Sequence, residues 1–546
     1  MRKKLFVVAF CTLLVLPITL SVIANASNIT IDVSLGGYKD YYARPKFYIS
    51  SYLNGTYQKE FEQWWGNHFV SRGIMIKSYN QIRFDLLRLG NEIVGKNKVL
   101  YEPDYILEYL CIGEENNFAL KENQEKVDRY ISQLEEVNQK LQKIGKQLIL
   151  YITPSKCDDT KEYIPMTYQI LSKMESKKRI RAVDYVRERL KETELVFIDG
   201  EKELKESGVE YPSFYSTGIH LSRTAEQVLH LKILNTLSDM TKDPIKKFKL
   251  LEVEEQDSPY WRDADLWELM NVWEKPEERY YQYRVKRILP QQYENKGFLI
   301  QGGSFADGLR KDLAENAISP KINYIFYNNY LMDQNGYYYK LNPQNTTTDL
   351  KSDWSNLEIS KLLDETDVII IELNEKHIRY FSNGFVEYLN ESINNYKRSS
   401  GGGISKIRNW TPEGNYQEDL DWLFGIYNYE EGFAWGKDYC SFILQNEQIS
   451  KKGLEIDFEI SSYWNFQDTK EECILVYING VRCKQLFVSQ AGRIILNFLP
   501  EELPISQSDQ YQIELYTTQS FIPSKLSING DNRELSIILR YVGEGR

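Results

Sequence analysis

Apolar runs and amphipathic segments alternate through the first two thirds of the chain. The runs at 147–153, 195–198, 298–302, 322–327 and 368–373 predict buried strands. Helices are predicted at 122–145, where apolar residues recur every three or four positions, and at 180–191 and 222–237. This alternation predicts an α/β fold, with a doubly wound parallel sheet between two layers of helices. The charged and aromatic stretch at 241–296 breaks the pattern and predicts a helical insertion.

The pattern changes after a Ser-Ser-Gly-Gly-Gly linker at 399–403. Short segments beyond it alternate apolar and polar residues with a period of two, and Asn479-Gly480 is a strong hairpin signal. Closely spaced strands of this kind predict an all-β sandwich at 398–546, appended to an α/β domain at 27–397. Its aromatic residues are compatible with carbohydrate binding.

The N-terminus has the composition of an export segment. Three basic residues, Arg2-Lys3-Lys4, precede an apolar run at 5–23 and a small-x-small sequence at 24–26. Residues 1–26 are therefore predicted to be either a signal peptide or a single membrane anchor. Both alternatives place the chain outside the cytoplasm, in the periplasm or at the cell surface, with membrane association through this segment in the second case.

Composition excludes some classes of function. The 546 residues carry a net charge of −11, which argues against a nucleic-acid partner. The six cysteines include no Cys-x-x-Cys pair and the four histidines do not cluster with them, so neither a metal site nor a cofactor is predicted.

Candidate chemistry lies where the strand at 298–302 ends. Gly302 and Gly303 allow a sharp turn, and Ser304 follows at the carboxyl edge of the predicted sheet, where open α/β sheets place their sites. His220 precedes the predicted helix at 222–237 and is the candidate base that would activate Ser304. His377 follows the strand at 368–373 near the same edge and is the rival base.

Several blocks of the chain resemble, in the same order, the SGNH-hydrolase-like family of alginate O-acetyltransferases (the AlgX/AlgJ type). The blocks fall within about residues 45–395: Gly55-Thr56-Tyr57-Gln58, Val94-Gly95-Lys96, Thr153-Pro154-Ser155-Lys156, Tyr163-Ile164-Pro165, Asp265-Leu266 and the strand that continues into Glu375-Lys376. The family's catalytic histidine lies in Asp-x-His-Trp and its serine in Gly-x-Ser-Phe, which match His220 and Ser304. The resemblance implies an SGNH-like fold and an exported enzyme that acetylates polysaccharide.

The resemblance also implies site roles. Ser304 would be the nucleophile and His220 the base, with Lys156, Glu375 and His377 as substrate-binding candidates. The Ser304 backbone N–H, helped by Asn328 or Asn329, would hold the oxyanion. The implied partners are a polysaccharide substrate and a membrane-bound O-acyltransferase that supplies acetyl.

One departure from the family motif affects the base. Gly218 stands where the family has the aspartate that orients the histidine, and Leu221 stands in place of its tryptophan. Asp199, at the end of its own strand, is the predicted substitute, with a Ser-His dyad as the alternative. Two other functions stay open: a catalytically degenerate protein that binds or assembles polysaccharide, and an esterase that releases acetyl to water.

Overall fold

The structure is a computed structural model that describes most of the chain. The described residues are 33–37, 43–68, 72–174, 178–242, 244–260, 262–336, 338–341, 354–397, 407–413, 423–430, 432–466, 472–506 and 509–546, with isolated positions before residue 33. The predicted linker at 399–403 and most of the predicted export segment lie outside them. Within these ranges no helix is long and apolar enough to cross a membrane.

Nineteen strands are present in the described residues. They are β1 (Ile93–Val94), β2 (Leu100–Tyr101), β3 (Gln147–Thr153), β4 (Phe197–Asp199), β5 (Lys247–Gln256), β6 (Tyr280–Ile288), β7 (Phe298–Gly302), β8 (Ile322–Phe326), β9 (Tyr330–Met332), β10 (Tyr338–Lys340), β11 (Val368–Asn374), β12 (Leu423–Glu430), β13 (Phe433–Gln445), β14 (Leu454–Ile460), β15 (Glu472–Ile478), β16 (Val481–Val488), β17 (Gly492–Phe498), β18 (Gln510–Thr517) and β19 (Ile537–Glu544).

Fifteen α-helices are present in the same ranges. They are α1 (Ile49–Leu53), α2 (Thr56–His68), α3 (Arg72–Leu87), α4 (Pro103–Tyr109), α5 (Lys121–Lys143), α6 (Lys156–Asp159), α7 (Met166–Met174), α8 (Ala182–Leu190), α9 (Gly200–Ser207), α10 (Arg223–Thr241), α11 (Asp265–Met270), α12 (Asp307–Glu315), α13 (Ile359–Asp364), α14 (Phe385–Asn395) and α15 (Ile449–Lys452).

A seven-stranded sheet forms the centre of the α/β part. Its order is β10-β9-β8-β7-β11-β3-β4; the five strands from β8 to β4 are parallel, and β9 and β10 add antiparallel strands at one edge. In the middle, Ile370 of β11 lies opposite Ile149 of β3 and Ile300 of β7. Every residue of β11 is buried, as expected for a parallel strand covered on both faces.

Successive residues of these strands face two different hydrophobic cores. One core contains Ile149, Ile300 and Ile370 with apolar residues of α10 and α12, and the other contains Leu150, Leu299 and apolar residues of α5, α8 and α14. This division follows from the two-residue period of a strand. The prediction of a mixed α/β part followed by an antiparallel β part is confirmed.

The prediction of a helical insertion at 241–296 is wrong. Its longest elements are the strands β5 and β6, which pair as a two-stranded antiparallel ribbon, and the short helix α11 lies between them. Most positions of β5 are half-buried or exposed, and the exposed ones carry Glu and Lys, residues that also favour helices. The charged composition therefore predicted helices where the chain forms the strands β5 and β6.

The C-terminal part is one curled antiparallel sheet. Its strands pair in the continuous order β16-β15-β18-β13-β19-β14-β17, and β12 pairs with β13. The long strand β13 bonds to β18 through its second half and to β19 through its first. The strands thus form a single hydrogen-bonded path around a core of their own, and the two-layered sandwich stays a prediction.

A buried ion pair joins the two parts. Lys246 Nζ, just before β5, lies 2.7 Å from Glu514 Oε1 of β18, and both side chains are almost completely buried. The hydroxyl groups of Tyr293, Tyr439 and Tyr516 also bond to the Glu514 carboxylate. Burial favours the neutral acid, but the Lys246 ammonium outweighs it and lowers the pKa of Glu514.

Candidate active site

Ser304 begins a short 3₁₀ turn between β7 and α12. The turn needs glycine at 302, because a Cβ there would lie 2.7 Å from the Glu372 side chain of β11. Glu372 also accepts a hydrogen bond from the Gly303 N–H over 2.8 Å, and the Tyr324 hydroxyl bonds to the Gly303 carbonyl. These contacts hold the peptide before Ser304 in place at the carboxyl edge of the sheet.

His220 lies on the loop that leads into α10. Ser222 caps this helix by accepting a hydrogen bond from the Ala225 N–H, and the ring of His220 packs on Phe305 with centroids 4.8 Å apart. His220 Nε2 lies 2.7 Å from Ser304 Oγ. The structure thus brings together two residues that are 84 positions apart in sequence.

Asp265 supplies the carboxylate beside His220. Its Oδ2 lies 2.8 Å from His220 Nδ1, and its Oδ1 accepts a hydrogen bond from the Ile219 N–H over 2.9 Å. A carboxylate at Nδ1 favours the tautomer that leaves Nε2 free to accept the Ser304 proton. The sequence contained a signal, because Asp265-Leu266 is one of the blocks that resemble the family, but no role was assigned to it.

The prediction that Asp199 orients His220 is therefore corrected. The Asp199 carboxylate binds the guanidinium group of Arg187 at 2.7 and 2.8 Å and caps α9. Asp199 lies at the carboxyl end of β4, the edge strand of the sheet, whereas Ser304 follows β7 near its centre. The position of Asp199 at the end of a strand was predicted correctly. The sequence could not show how far that strand lies from β7 in the sheet.

Glu375, predicted to bind substrate, is instead a buried partner of two arginines. Its side chain has no exposed surface and pairs with Arg181 at 2.7 Å and Arg187 at 3.0 Å. Burial raises its pKa well above the usual range. Oxygens of Glu375, Asp158 and Glu201 lie within 4.8 Å of one another, but the two arginines pair with all three, so the group is an ion-pair network.

Lys156, the second substrate-binding candidate, is also completely buried. Its Nζ donates to the carbonyl oxygens of Leu100, Ser216 and Gly218 at 2.8, 2.9 and 2.6 Å. Two of these carbonyls belong to the loop that carries His220. Burial lowers the pKa of Lys156 to about 7. Lys156 therefore holds the His220 loop and does not reach a substrate.

His377, the third candidate, lies beside the site but does not contact the nucleophile in the described structure. Its ring is edge-on to Tyr327, with centroids 6.5 Å apart, and Tyr327 in turn contacts Ser304. Burial lowers the pKa of His377 to about 4. His220, and not His377, is within hydrogen-bond distance of Ser304 Oγ.

Asn328, one of the residues predicted to hold the oxyanion, points into a buried contact. Asn328 is buried, and its Oδ1 accepts a hydrogen bond from Gln301 Nε2 at 3.0 Å. Sequence reasoning missed two residues that do contact Ser304: the Tyr327 hydroxyl donates to its Oγ, and Arg262 Nη1 donates to its carbonyl oxygen. Neither belongs to a motif, so no sequence signal pointed to them.

No protein-family model and no curated protein matches the chain. Among solved structures, the O-acetyltransferase domain of Pseudomonas putida AlgJ is similar over 56% of this chain and 100% of that chain, with 11% identity and a TM-score of 0.32. Pseudomonas aeruginosa AlgX is similar over 86% of this chain and 98% of that chain, with 11% identity and a TM-score of 0.31. Bacillus cereus PatB1 is similar over 47% and 92%, with 10% identity and a TM-score of 0.28. Two of these are of the type that the sequence motifs resemble, but likenesses with TM-scores this low carry no argument about function.

Proposed function

We propose that this protein is an exported polysaccharide O-acetyltransferase in which Ser304 carries acetyl from a donor to a sugar hydroxyl. The observation that carries the proposal is the line of hydrogen bonds from Asp265 through His220 to Ser304. Asp265 supplies the carboxylate that Gly218 lacks, which supports an active site over a degenerate one. An SGNH-like, doubly wound three-layer arrangement of the α/β part belongs to the same proposal.

The arrangement supports transfer in two steps. In the first, Ser304 Oγ attacks the acetyl carbonyl carbon while His220 Nε2 takes the hydroxyl proton, and the leaving group then departs with that proton. Asp265 stabilises the imidazolium that forms in between. In the second step a sugar hydroxyl attacks the acetyl-serine, and its proton returns through Nε2 to Ser304 Oγ.

The polysaccharide and the donor are part of the proposal. The family resemblance suggests that a membrane-bound O-acyltransferase supplies acetyl, since acetyl-CoA is cytoplasmic and the N-terminal sequence predicts export. The C-terminal β part would present or bind the polysaccharide. An acetyl esterase uses the same first step, with water in place of the sugar in the second.

An acetyl-donor assay tests the proposal. The full chain is incubated with 4-nitrophenyl acetate, with and without an acceptor oligosaccharide, beside Ser304→Ala and the exposed control Ser450→Ala. We expect nitrophenol release and acetyl-Ser304 in the parent and in Ser450→Ala but not in Ser304→Ala. Acetylated oligosaccharide supports the transferase, acetate alone supports the esterase, and equal turnover in Ser304→Ala contradicts both.

A further inference from the structure

Tyr327 follows β8 and places its hydroxyl on the candidate nucleophile. The hydroxyl donates to Ser304 Oγ over 2.8 Å, and His220 Nε2 approaches the same oxygen to 2.7 Å. The side chain is 44% exposed, so the hydroxyl lies in the open cleft and not in the core. Ser304 Oγ therefore has two partners: an imidazole that can take its proton and a phenol that donates to it.

Tyr327 and the residue after it have a strained backbone conformation. Tyr327 has φ 45° and Asn328 has φ 60°, a left-handed conformation that is unfavourable for a residue with a side chain. The Tyr327 N–H bonds to the Gly302 carbonyl over 3.0 Å, and a Cβ at Gly303 would lie 3.1 Å from the tyrosine ring. Strain of this kind persists where the surrounding structure fixes it, and it concentrates at functional sites.

Few other donors can reach an oxyanion formed at Ser304. The Gly303 N–H is bonded to Glu372, and Arg262 Nη1 is bonded to the Ser304 carbonyl oxygen. Within the described residues, the Ser304 N–H has no acceptor, so it is one available donor. The Tyr327 hydroxyl, which already bonds to Ser304 Oγ, is the second available donor. In the tetrahedral intermediate the oxyanion and Oγ are bonded to the same carbon atom, so a donor beside Oγ also lies beside the oxyanion.

We infer that Tyr327 is a catalytic residue whose hydroxyl, together with the Ser304 N–H, stabilises the oxyanion of the tetrahedral intermediate; this inference rests on the proposed function. When Oγ bonds to the acetyl carbon, its proton passes to His220 and the carbonyl electron pair moves onto the carbonyl oxygen. Oγ then becomes a poor acceptor, and the Tyr327 O–H turns to the neighbouring oxyanion without giving up its proton. Collapse of the intermediate returns that electron pair to the carbonyl and expels the leaving group.

The variant Tyr327→Phe tests this role, with Tyr463→Phe as a matched loss of an exposed tyrosine hydroxyl in the β part. Loss of one oxyanion donor is expected to lower kcat for the acetyl ester by about 10²-fold. The KM should stay within about twofold, because the lost contact is made in the transition state. Methylboronic acid forms an anionic tetrahedral adduct with serine, so its inhibition constant should rise by a factor similar to the fall in kcat.

Three outcomes overturn the inference. Ser304-dependent turnover that Tyr327→Phe leaves within threefold of the parent overturns the role of Tyr327 and leaves the proposed function standing. A fall in kcat with unchanged methylboronic acid inhibition and a lowered melting temperature also overturns it, because the tyrosine would then be structural. A parent without Ser304-dependent turnover overturns the proposed function and this inference together.

Discussion

At the residue scale, the carboxylate that orients His220 comes from a different position than the sequence motif predicts. The motif that the sequence resembles has a carboxylate two residues before the histidine, where this chain has Gly218. Here Asp265, 45 positions after His220, lies beside the imidazole instead. The imidazole receives the same chemical group at the same nitrogen. The function of the carboxylate depends on its contact with Nδ1 and not on its place in the sequence.

Asp265→Asn is expected to lower kcat by roughly 10³- to 10⁴-fold, because an amide at Nδ1 favours the wrong imidazole tautomer. Asp199→Asn is the matched control: it removes the same charge from the Arg187 pair and should leave kcat close to that of the parent. Turnover of an acetyl ester measures both. A larger loss in Asp199→Asn than in Asp265→Asn would contradict the assignment.

Lys156→Met is expected to destabilise the fold by about 3 kcal/mol, since it leaves buried carbonyl acceptors without a donor. Burial lowers the folded-state pKa of Lys156 to about 7. The unfolded chain therefore binds this proton more tightly, and the parent gains stability as pH rises from 7 towards 10.5, by up to about 1.4 kcal/mol per pH unit. Urea unfolding at pH 7.5 and 9 should show the gap between parent and variant widening. A stability difference that narrows between pH 7.5 and pH 9 would contradict a lowered pKa for Lys156 in the folded state.

At the element scale, the connection between β5 and β6 completes the site. This connection contains α11, whose first residue is Asp265, and it is bonded to the His220 loop through Trp267 N–H and the Thr217 carbonyl over 2.9 Å. Glu278, near the end of the same connection, bonds to the N–H groups of Ser216 and Thr217. The connection between β5 and β6 therefore brings the orienting carboxylate to the loop between α9 and α10.

Gly218→Asp, which introduces the aspartate of the motif that the sequence resembles, is expected to lower both stability and kcat. A Cβ at 218 would lie 2.5 Å from the Asp263 carbonyl oxygen, a backbone atom of the connection that carries Asp265. Gly218→Ala is the control, because it adds the same Cβ without the charge and should show a similar loss. Thermal unfolding and ester turnover measure the effects. A gain of activity in Gly218→Asp would show that the two carboxylate positions are interchangeable.

At the scale of the whole molecule, the ribbon and the β part are joined around the Lys246–Glu514 pair. Tyr477 and Tyr516 of the β part belong to the same hydrophobic core as Ile300 of the central sheet. A buried pair in such a core is costly to break, because the remaining charge has no solvent. We therefore expect the α/β and β parts to stabilise one another.

Glu514→Gln is expected to cost about 3–5 kcal/mol, whereas Glu544→Gln, at the surface pair with Lys452, should cost less than about 1 kcal/mol. The lowered pKa of Glu514 adds a pH dependence. Its stabilising contribution is present above the ordinary glutamate pKa and is lost as pH falls through the lower folded-state value. Denaturant unfolding at pH 7 and pH 4 tests both statements. Equal destabilisation by the two variants would contradict the conclusion that the buried Lys246–Glu514 pair joins the α/β and β parts.

The sequence by itself determined the strands that hold the nucleophile and the order of the main segments. Buried runs such as 298–302 and 368–373 allow few structures other than central parallel strands, and glycine before Ser304 allows the turn. The candidate serine and histidine were also identified, because each lies beside a predicted element and matches a motif of the family that the sequence resembles. These features depend on local pattern, on one topological rule and on motif matches.

The tertiary structure decided which side chains surround those two residues. Tyr327 and Arg262 reach Ser304 from segments without a motif, and Asp265 reaches His220 from a block to which the sequence assigned no role. Asp199, Glu375 and Lys156 instead form structural contacts away from the nucleophile. Whether a polar residue faces a cleft or a core depends on strand order and on the path of the β5–β6 ribbon. Both are set by contacts between residues far apart in the chain, and local periodicity carries no record of them.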